Sequence, residues 1–453
     1  MSTIAAISTA PGNSGIGIVR LSGEESFKII EKIFKAKKNS EVKGYSIKYG
    51  NILDENNNII DEVLVSYFKS PKSYSGENMC EINSHGNNII LKKILEVCLK
   101  NGAELAQPGE FTKRAFLNGR IDLLQAESVI DIINSKSEIE RKSAINQLEG
   151  FLSKDIKKIK SEIFKILTNI EVSIDYPEYD IDEDSNNEIL EKSNKIVNIL
   201  DELEKSFERG KVLKDGIKVA IVGKPNAGKS SLLNRILREE RAIVTDIEGT
   251  TRDTIEEFVN INDIPFKIID TAGIREADNE IEKIGIHKSI KALNDADLVI
   301  AIFDKTKKLT NDDINILNNI KNKNAIILLN KIDLEAENIE IDVLKSINKP
   351  ILNVSIKDNI GIDKLYNEMS KIYDYNDVVV DNSAIITNLR HKEFIRLAKD
   401  NIKEAIKTLK DGVTLDITAI YYKESINNLN KITGEDVTED LINDIFSKFC
   451  LGK

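Results

Sequence analysis

Residues 223–230 read Gly-Lys-Pro-Asn-Ala-Gly-Lys-Ser, two glycines five positions apart with a lysine and a hydroxyl directly behind the second. That spacing lets the backbone N–H groups of Asn226, Ala227 and Gly228 curl around a phosphate. Lys229 would meet the β- and γ-phosphates, and Ser230, with Ser231 beside it, would offer a hydroxyl to Mg2+. Asp270, Thr271, Ala272 and Gly273 follow an apolar run; a carboxylate there can hold the magnesium shell, and Gly273 can turn its N–H to the γ-phosphate. Asn330, Lys331, Ile332 and Asp333 follow another. The Asp333 carboxylate can accept from both the ring N–H and the amino group of guanine, which adenine does not present together. Ser355, Ile356 and Lys357 are expected to back up the base pocket, with isoleucine where GTPases commonly carry alanine. Between the first two motifs lie Thr245, Asp246, Ile247, Glu248, Gly249, Thr250 and Thr251, of which Thr251 is the expected second hydroxyl ligand of magnesium. In this order and spacing, residues 216–375 are expected to bind GTP with magnesium and cleave it.

These residues need a scaffold of buried strands ending at one edge. The phosphate-loop pattern follows the apolar residues 217–222 and precedes the helical run 232–237, and the base motif follows the strand-like residues 325–329. Upstream, short β-like runs at 4–7, 16–21 and 62–68 mix with a helical stretch at 89–100. Apolar residues then recur at helical spacing, among them Ile121, Leu124, Ile156, Ile159, Ile163 and Ile170. An acidic break over 175–184 is expected to be a loop, helical periodicity resumes over 189–207, and residues 210–216 are expected to end the helices. Residues 385–409 and 426–449 read as helical again. The expected chain is multidomain, α+β and α/β: an N-terminal α+β domain over 1–118, helical segments over 119–213 and 376–453, and an inserted P-loop domain over 214–375.

Bulk properties narrow the function classes. With 453 residues the chain exceeds what one core serves. A net charge of -11 argues against a surface basic throughout, so any nucleic-acid contact must come from a local patch. The N-terminal apolar stretch lacks a positive leader and is broken by Pro11, Gly12, Gly15 and Gly17, and no apolar run nears the ~20 residues needed to cross a bilayer. A cytoplasmic protein without membrane attachment is expected. Cys80, Cys98 and Cys450 are odd in number and far apart, which points to reduced thiols and no zinc.

The run Gly249-Thr250-Thr251-Arg252-Asp253, with residues 270–275, resembles the bacterial tRNA-modification GTPase family called MnmE or TrmE. The resemblance continues through Ala10-Pro11-Gly12 and Gly15 to Arg20, through GEFTKRAFLN at 109–118, and into the closing Phe449-Cys450-Leu451-Gly452-Lys453. The chain departs from the family at residues 83–87, Asn-Ser-His-Gly-Asn, where a cysteine often precedes the histidine. The resemblance implies an N-terminal domain that dimerises and binds 5-formyl- or methylene-tetrahydrofolate, a discontinuous helical domain, and an inserted Ras-like GTPase domain. Arg20, Glu81, Arg120 and Lys453 match the family's folate contacts: the cations suit the glutamate carboxylates and Glu81 the pterin. It implies a homodimer that joins the flavin-dependent partner MnmG in a heterotetramer and places an aminomethyl-type group on carbon 5 of the wobble uridine, U34, of tRNA. Cys450 stands as a candidate catalytic thiol. Ile274 occupies the place where many GTPases orient water with glutamine. Glu282 matches the family's water-positioning candidate, and K+ held by Asn226, Thr245, Ile247 and Thr250 would supply charge between the phosphates. A ribosome-assembly GTPase and a purely regulatory switch are the competing readings.

Overall fold

The computed structural model describes residues 1–38, 44–175, 183–239, 257–269, 293–334, 341–372 and 385–453. The chain divides into two compact units. One comprises Met1–Ile130, Gln147–Ser193 and Asp400–Lys453, the other Asp131–Asn146 and Asn194–Lys399.

The first unit is built on a seven-stranded sheet, in the order β3-β4-β5-β6-β2-β1-β7. Its strands are β1 (Ile4–Ile7), β2 (Ser14–Ser22), β3 (Phe34–Ala36), β4 (Ser46–Leu53), β5 (Ile59–Phe68), β6 (Met79–Gly86) and β7 (Glu104–Leu105). Period-two alternation decides which side is core. In β5, Val63, Val65 and Tyr67 are buried beneath helices α1 (Ser26–Ile33) and α2 (Asn88–Lys100), whereas Leu64 points the other way and is exposed. Ile47 and Tyr49 of β4 and Ile16 of β2 are likewise exposed. Helix α3 (Glu110–Leu117) follows β7, then α4 (Leu123–Asn134), α5 (Glu138–Leu148), α6 (Phe151–Asp175) and α7 (Glu183–Asp215).

Helix α6 buries Ile156, Ile159, Ile163, Ile166, Leu167 and Ile170, the three-and-four spacing of one helical face.

The second unit carries a six-stranded sheet in the order β13-β12-β11-β8-β10-β9. Strands β8 (Ile217–Val222), β10 (Ile264–Ile268), β11 (Leu298–Asp304), β12 (Ala325–Asn330) and β13 (Ile351–Asn353) pair in parallel, and β9 (Glu257–Ile261) pairs antiparallel to β10. Helices α8 (Lys229–Glu239) and α11 (Ile362–Ile372) share a core with one face, and α9 (Asn311–Ile320) and α10 (Ile341–Lys345) with the other. Both faces being covered, the central strands are buried almost throughout: all six residues of β12 are buried. The C-terminal helices are α12 (Leu389–Lys410), α13 (Leu415–Thr433) and α14 (Glu439–Ser447).

Two sequence expectations change. Residues 210–216 end the helices only at their far side: α7 runs through Gly210 to Asp215, and Gly216 follows at φ 72°. A Cβ at position 210 would collide with the carbonyl oxygen of Ile386, so this glycine lets another segment approach. The stretch 426–449, read as helical, falls in two helices, α13 and α14, and α13 starts earlier, at Leu415; Gly434, with φ 87°, terminates it.

The buried guanidinium of Arg114, 4% exposed, ties α3 to the chain start and to the loop before β6. It bonds Ser2 O at 2.7 Å and pairs with Glu110 at 2.8 Å and Glu77 at 3.1 Å. Arg114→Ala strips these half-buried carboxylates of their cation and is expected to cost about 2–4 kcal/mol. Urea denaturation of the two proteins measures it, and a loss under about 1 kcal/mol would make the network dispensable.

Candidate functional site

The phosphate-loop residues lie where β8 ends and α8 begins, at the edge where β11 and β12 also end. The loop needs backbone shapes that ordinary residues avoid. Gly223 has φ 156° and Asn226 φ 62°, and a Cβ on Gly223 would lie 2.5 Å from the carbonyl oxygen of Ile302. Lys229 Nζ donates to the carbonyls of Gly223 (2.8 Å) and Lys224 (2.9 Å). Burial holds that ammonium below the ordinary lysine value, a cost that an arriving phosphate would offset. Ser230 and Ser231, in the first turn of α8, are exposed.

The base motif reaches back to this loop. Asn330, 5% exposed at the end of β12, donates through Nδ2 to Ala227 O at 2.8 Å and accepts through Oδ1 from the Ile356 N–H at 3.2 Å. Ile356 therefore spends its N–H on Asn330, and its buried side chain packs under Gly228. Ser355 Oγ lies 2.8 Å from Asp333 Oδ1 and 3.1 Å from Asp358 Oδ2, so its hydroxyl orients the exposed Asp333 carboxylate. Lys331, at φ 67°, turns its ammonium to Asp304 Oδ2 at 2.7 Å. Burial would raise the Asp304 carboxyl, but the bonds from Lys331 and Thr306 win and hold it below the ordinary aspartate value. Lys357 is exposed beside this pocket edge.

Sequence reading missed Asp304 and Asp313. Asp304 ends β11 just as Asn330 ends β12, the two being register partners, so an aspartate closing an apolar run was the available signal. Asp313 is buried at the start of α9, where it accepts from Thr310 and pairs with Lys224. The capping pattern at 310–313 was legible, but its distant partner Lys224 was not. Of the other expected site residues, Thr245, Asp246, Ile247, Glu248, Gly249, Thr250, Thr251, Asp270, Thr271, Ala272, Gly273 and Glu282 lie outside the described residues.

A second constellation lies within the first unit. Arg20 of β2 and Glu81 of β6 face each other in register, with the guanidinium 2.8 Å from Glu81 Oε1. Arg20 also donates to Gly452 O at 3.2 Å and lies 5.4 Å from the Tyr74 ring centre and 5.6 Å from that of Phe111. The chain's last residues reach it through main-chain bonds: Ser8 Oγ donates to Gly452 O (3.0 Å) and Phe111 N to Lys453 O (3.1 Å). Gly452 has φ 87° and packs against the carbonyl of Ile7, where a side chain would not fit. Burial, then the nearby Arg20 charge, holds the Lys453 ammonium below the ordinary lysine value, with Glu81 opposing. Arg120 joins from the far side of Tyr74, its guanidinium 4.9 Å from the ring centre and bonded to Tyr74 O at 2.6 Å. The four residues expected to hold folate thus sit around one aromatic ring and the chain terminus. Cys450 is exposed, whereas Cys80 and Cys98 are buried, and burial pushes the Cys98 thiol up to about 12. Among the described residues, no cluster of three His, Cys, Asp or Glu is placed to hold a metal, and no helix is long and apolar enough to cross a membrane.

Two family models match the chain: one described as the MnmE helical domain over residues 123–450, the other as the GTP-binding protein TrmE N-terminus over 3–120. A tRNA modification GTPase MnmE of Acetivibrio thermocellus is 48% identical over 455 residues, covering 100% of this chain and 99% of that protein. Its namesake in Clostridioides difficile is 48% identical over 455 residues with the same coverage, and that of Alkaliphilus oremlandii 44% over 457.

With guanine against Asp333, Asp333→Asn replaces an acceptor with a donor facing one of the base hydrogens. GTP binding is expected to weaken by about 2 kcal/mol or more, with xanthosine triphosphate losing less. Parallel titrations with the two nucleotides check it; unchanged GTP affinity would remove Asp333 from base recognition.

Proposed function

The chain belongs to the MnmE family of multidomain tRNA modification GTPases, and from that premise we propose how its residues divide the work. GTP lies with its phosphates on residues 226–231 and its base against Asn330, Lys331, Asp333 and residues 355–357. The observation that carries this reading is the Asn330 bond to Ala227, which joins the base-side and phosphate-side motifs directly. Residues 245–251 and 270–273 complete the proposed set of GTP-binding residues. Ser230 and Thr251 are the protein ligands for magnesium, which when bound neutralises charge on the β- and γ-phosphates. The exposed Ser230 hydroxyl at the head of α8 fits that use. Asn226, exposed and at φ 62°, with Thr245, Ile247 and Thr250, would hold potassium, and Glu282 would position the attacking water.

In the first unit, Arg20, Glu81, Arg120 and Lys453 hold 5-formyl- or methylene-tetrahydrofolate. Support comes from two guanidinium groups against the Tyr74 ring, with the Lys453 ammonium feeling the Arg20 charge and one carboxylate able to accept from a pterin. The exposed apolar sheet face of Ile16, Ile47, Tyr49 and Leu64 supports a homodimer made through this domain. The dimer works in the cytosol with MnmG on tRNA, adding an aminomethyl or carboxymethylaminomethyl group to carbon 5 of U34, and Cys450 acts in that chemistry.

Two experiments test this division. Cys450→Ser is expected to leave GTP hydrolysis near wild type while wobble-uridine modification falls in cells carrying only the variant. Normal modification there would take the thiol out of the chemistry. Hydrolysis is expected to run faster in potassium chloride than in sodium chloride at matched ionic strength, and to fall in Asn226→Ala and Glu282→Ala. Equal rates in the two salts would reject the potassium site, and a fully active Glu282→Ala would release that residue from the mechanism.

A further inference from the structure

Beside the phosphate loop lies a cavity lined by Lys224, Pro225, Phe303, Asp304 and Asp313. Lys224, the second residue of the loop, reaches across it: its Nζ is 2.5 Å from Asp313 Oδ2 and donates to Thr310 Oγ1 at 2.9 Å. We propose that Lys224 and Asp313 form a positioning pair that sets the phosphate loop in its receptive shape before nucleotide arrives. The inference rests on reading residues 223–230 as the phosphate loop.

Asp313 is fixed independently of Lys224. Its side chain is 5% exposed, and the same Oδ2 accepts from the Thr310 N–H at 2.9 Å and the Thr310 hydroxyl at 3.0 Å, which closes the first turn of α9. An amide oxygen would cap that turn as well as a carboxylate does. The negative charge is needed for Lys224. Because the carboxylate is already held, only the lysine loses rotamer freedom on pairing, unlike a surface pair in which both chains must be ordered.

The main chain of Lys224 carries the effect to the phosphate. Its carbonyl, with that of Gly223, receives the Lys229 ammonium. Gly223 beside it has φ 156°, a shape open to glycine and avoided by other residues, so a fixed neighbour on either side narrows what this mobile residue can adopt. With Asn330 holding Ala227 and Asp313 holding Lys224, the loop is pinned at both ends of its first turn, so its N–H groups converge at little entropic cost when phosphate binds.

The test uses the full chain and two readouts: fluorescence titration with N-methylanthraniloyl-GDP, and steady-state GTP turnover. Asp313→Asn, which keeps the cap, and Lys224→Met are each expected to raise Kd and KM about five- to ten-fold, with kcat at saturating GTP changing less than about two-fold. The double variant is expected to be no weaker than the worse single one, since both remove the same interaction, and Lys224→Arg is expected to retain most of the affinity. Binding by both single variants within about two-fold of wild type, while Lys229→Ala no longer binds, would overturn the pair's role. So would additive losses in the double variant. Wild-type binding by Lys229→Ala would overturn the phosphate-loop assignment and the inference with it.

Discussion

A single side-chain amide joins the two ends of the nucleotide site. Asn330 offers a donor to Ala227 O in the phosphate loop and an acceptor to the N–H of Ile356, so three loops from three different strands meet on one planar group. An amide does this because it carries both polarities at a fixed spacing; aspartate would repel the Ala227 carbonyl, and leucine would leave two buried backbone groups unpaired. Its position follows from parallel pairing. Strands β8, β11 and β12 run the same way, so their carboxyl ends open at one edge, where ligands of such sheets collect. Asp304 ends β11 level with Asn330, and its pairing with Lys331 holds the base motif from the neighbouring strand.

The first unit solves a different problem with the same means. Arg20 and Glu81 are cross-strand partners on the sheet face that α1 and α2 do not cover, and the chain's last residues reach them through main-chain bonds. A terminus ordinarily frays because few contacts hold it. Here Gly452 fits against Ile7 only because it lacks a side chain, and Ser8 and Phe111 bond the last two residues. That leaves Cys450 exposed and next to anchored neighbours, whereas Cys80 and Cys98 lie in the sheet's core, where burial suppresses their thiolates.

Much of this was legible in the linear chain, for local reasons. The phosphate loop, the base motif and the strands before them depend on residue types within about ten positions, and period-two or period-3.6 burial is written into the same windows. The run through Gly210 misled because a glycine at a helix surface and a glycine that ends a helix look alike until the neighbouring segment is known. The split at Gly434 was missed for the converse reason: apolar spacing continued across it while the backbone turned left-handed.

By itself the sequence determined the chemistry on offer: a lysine and a hydroxyl behind a glycine-rich turn, a carboxylate able to read guanine, two cations and a glutamate at opposite ends of the chain, and a cysteine near its end. The tertiary structure alone decided which of these meet. Lys224 finds Thr310, Ala227 finds Asn330, and Arg20 finds Glu81 and Gly452 across 86, 103, 61 and 432 positions. Such pairings cannot be read from spacing, because strand order and helix packing set them: residues far apart in the chain become neighbours only when burying the apolar faces of sheet and helix leaves one arrangement in which every buried polar group also has its partner.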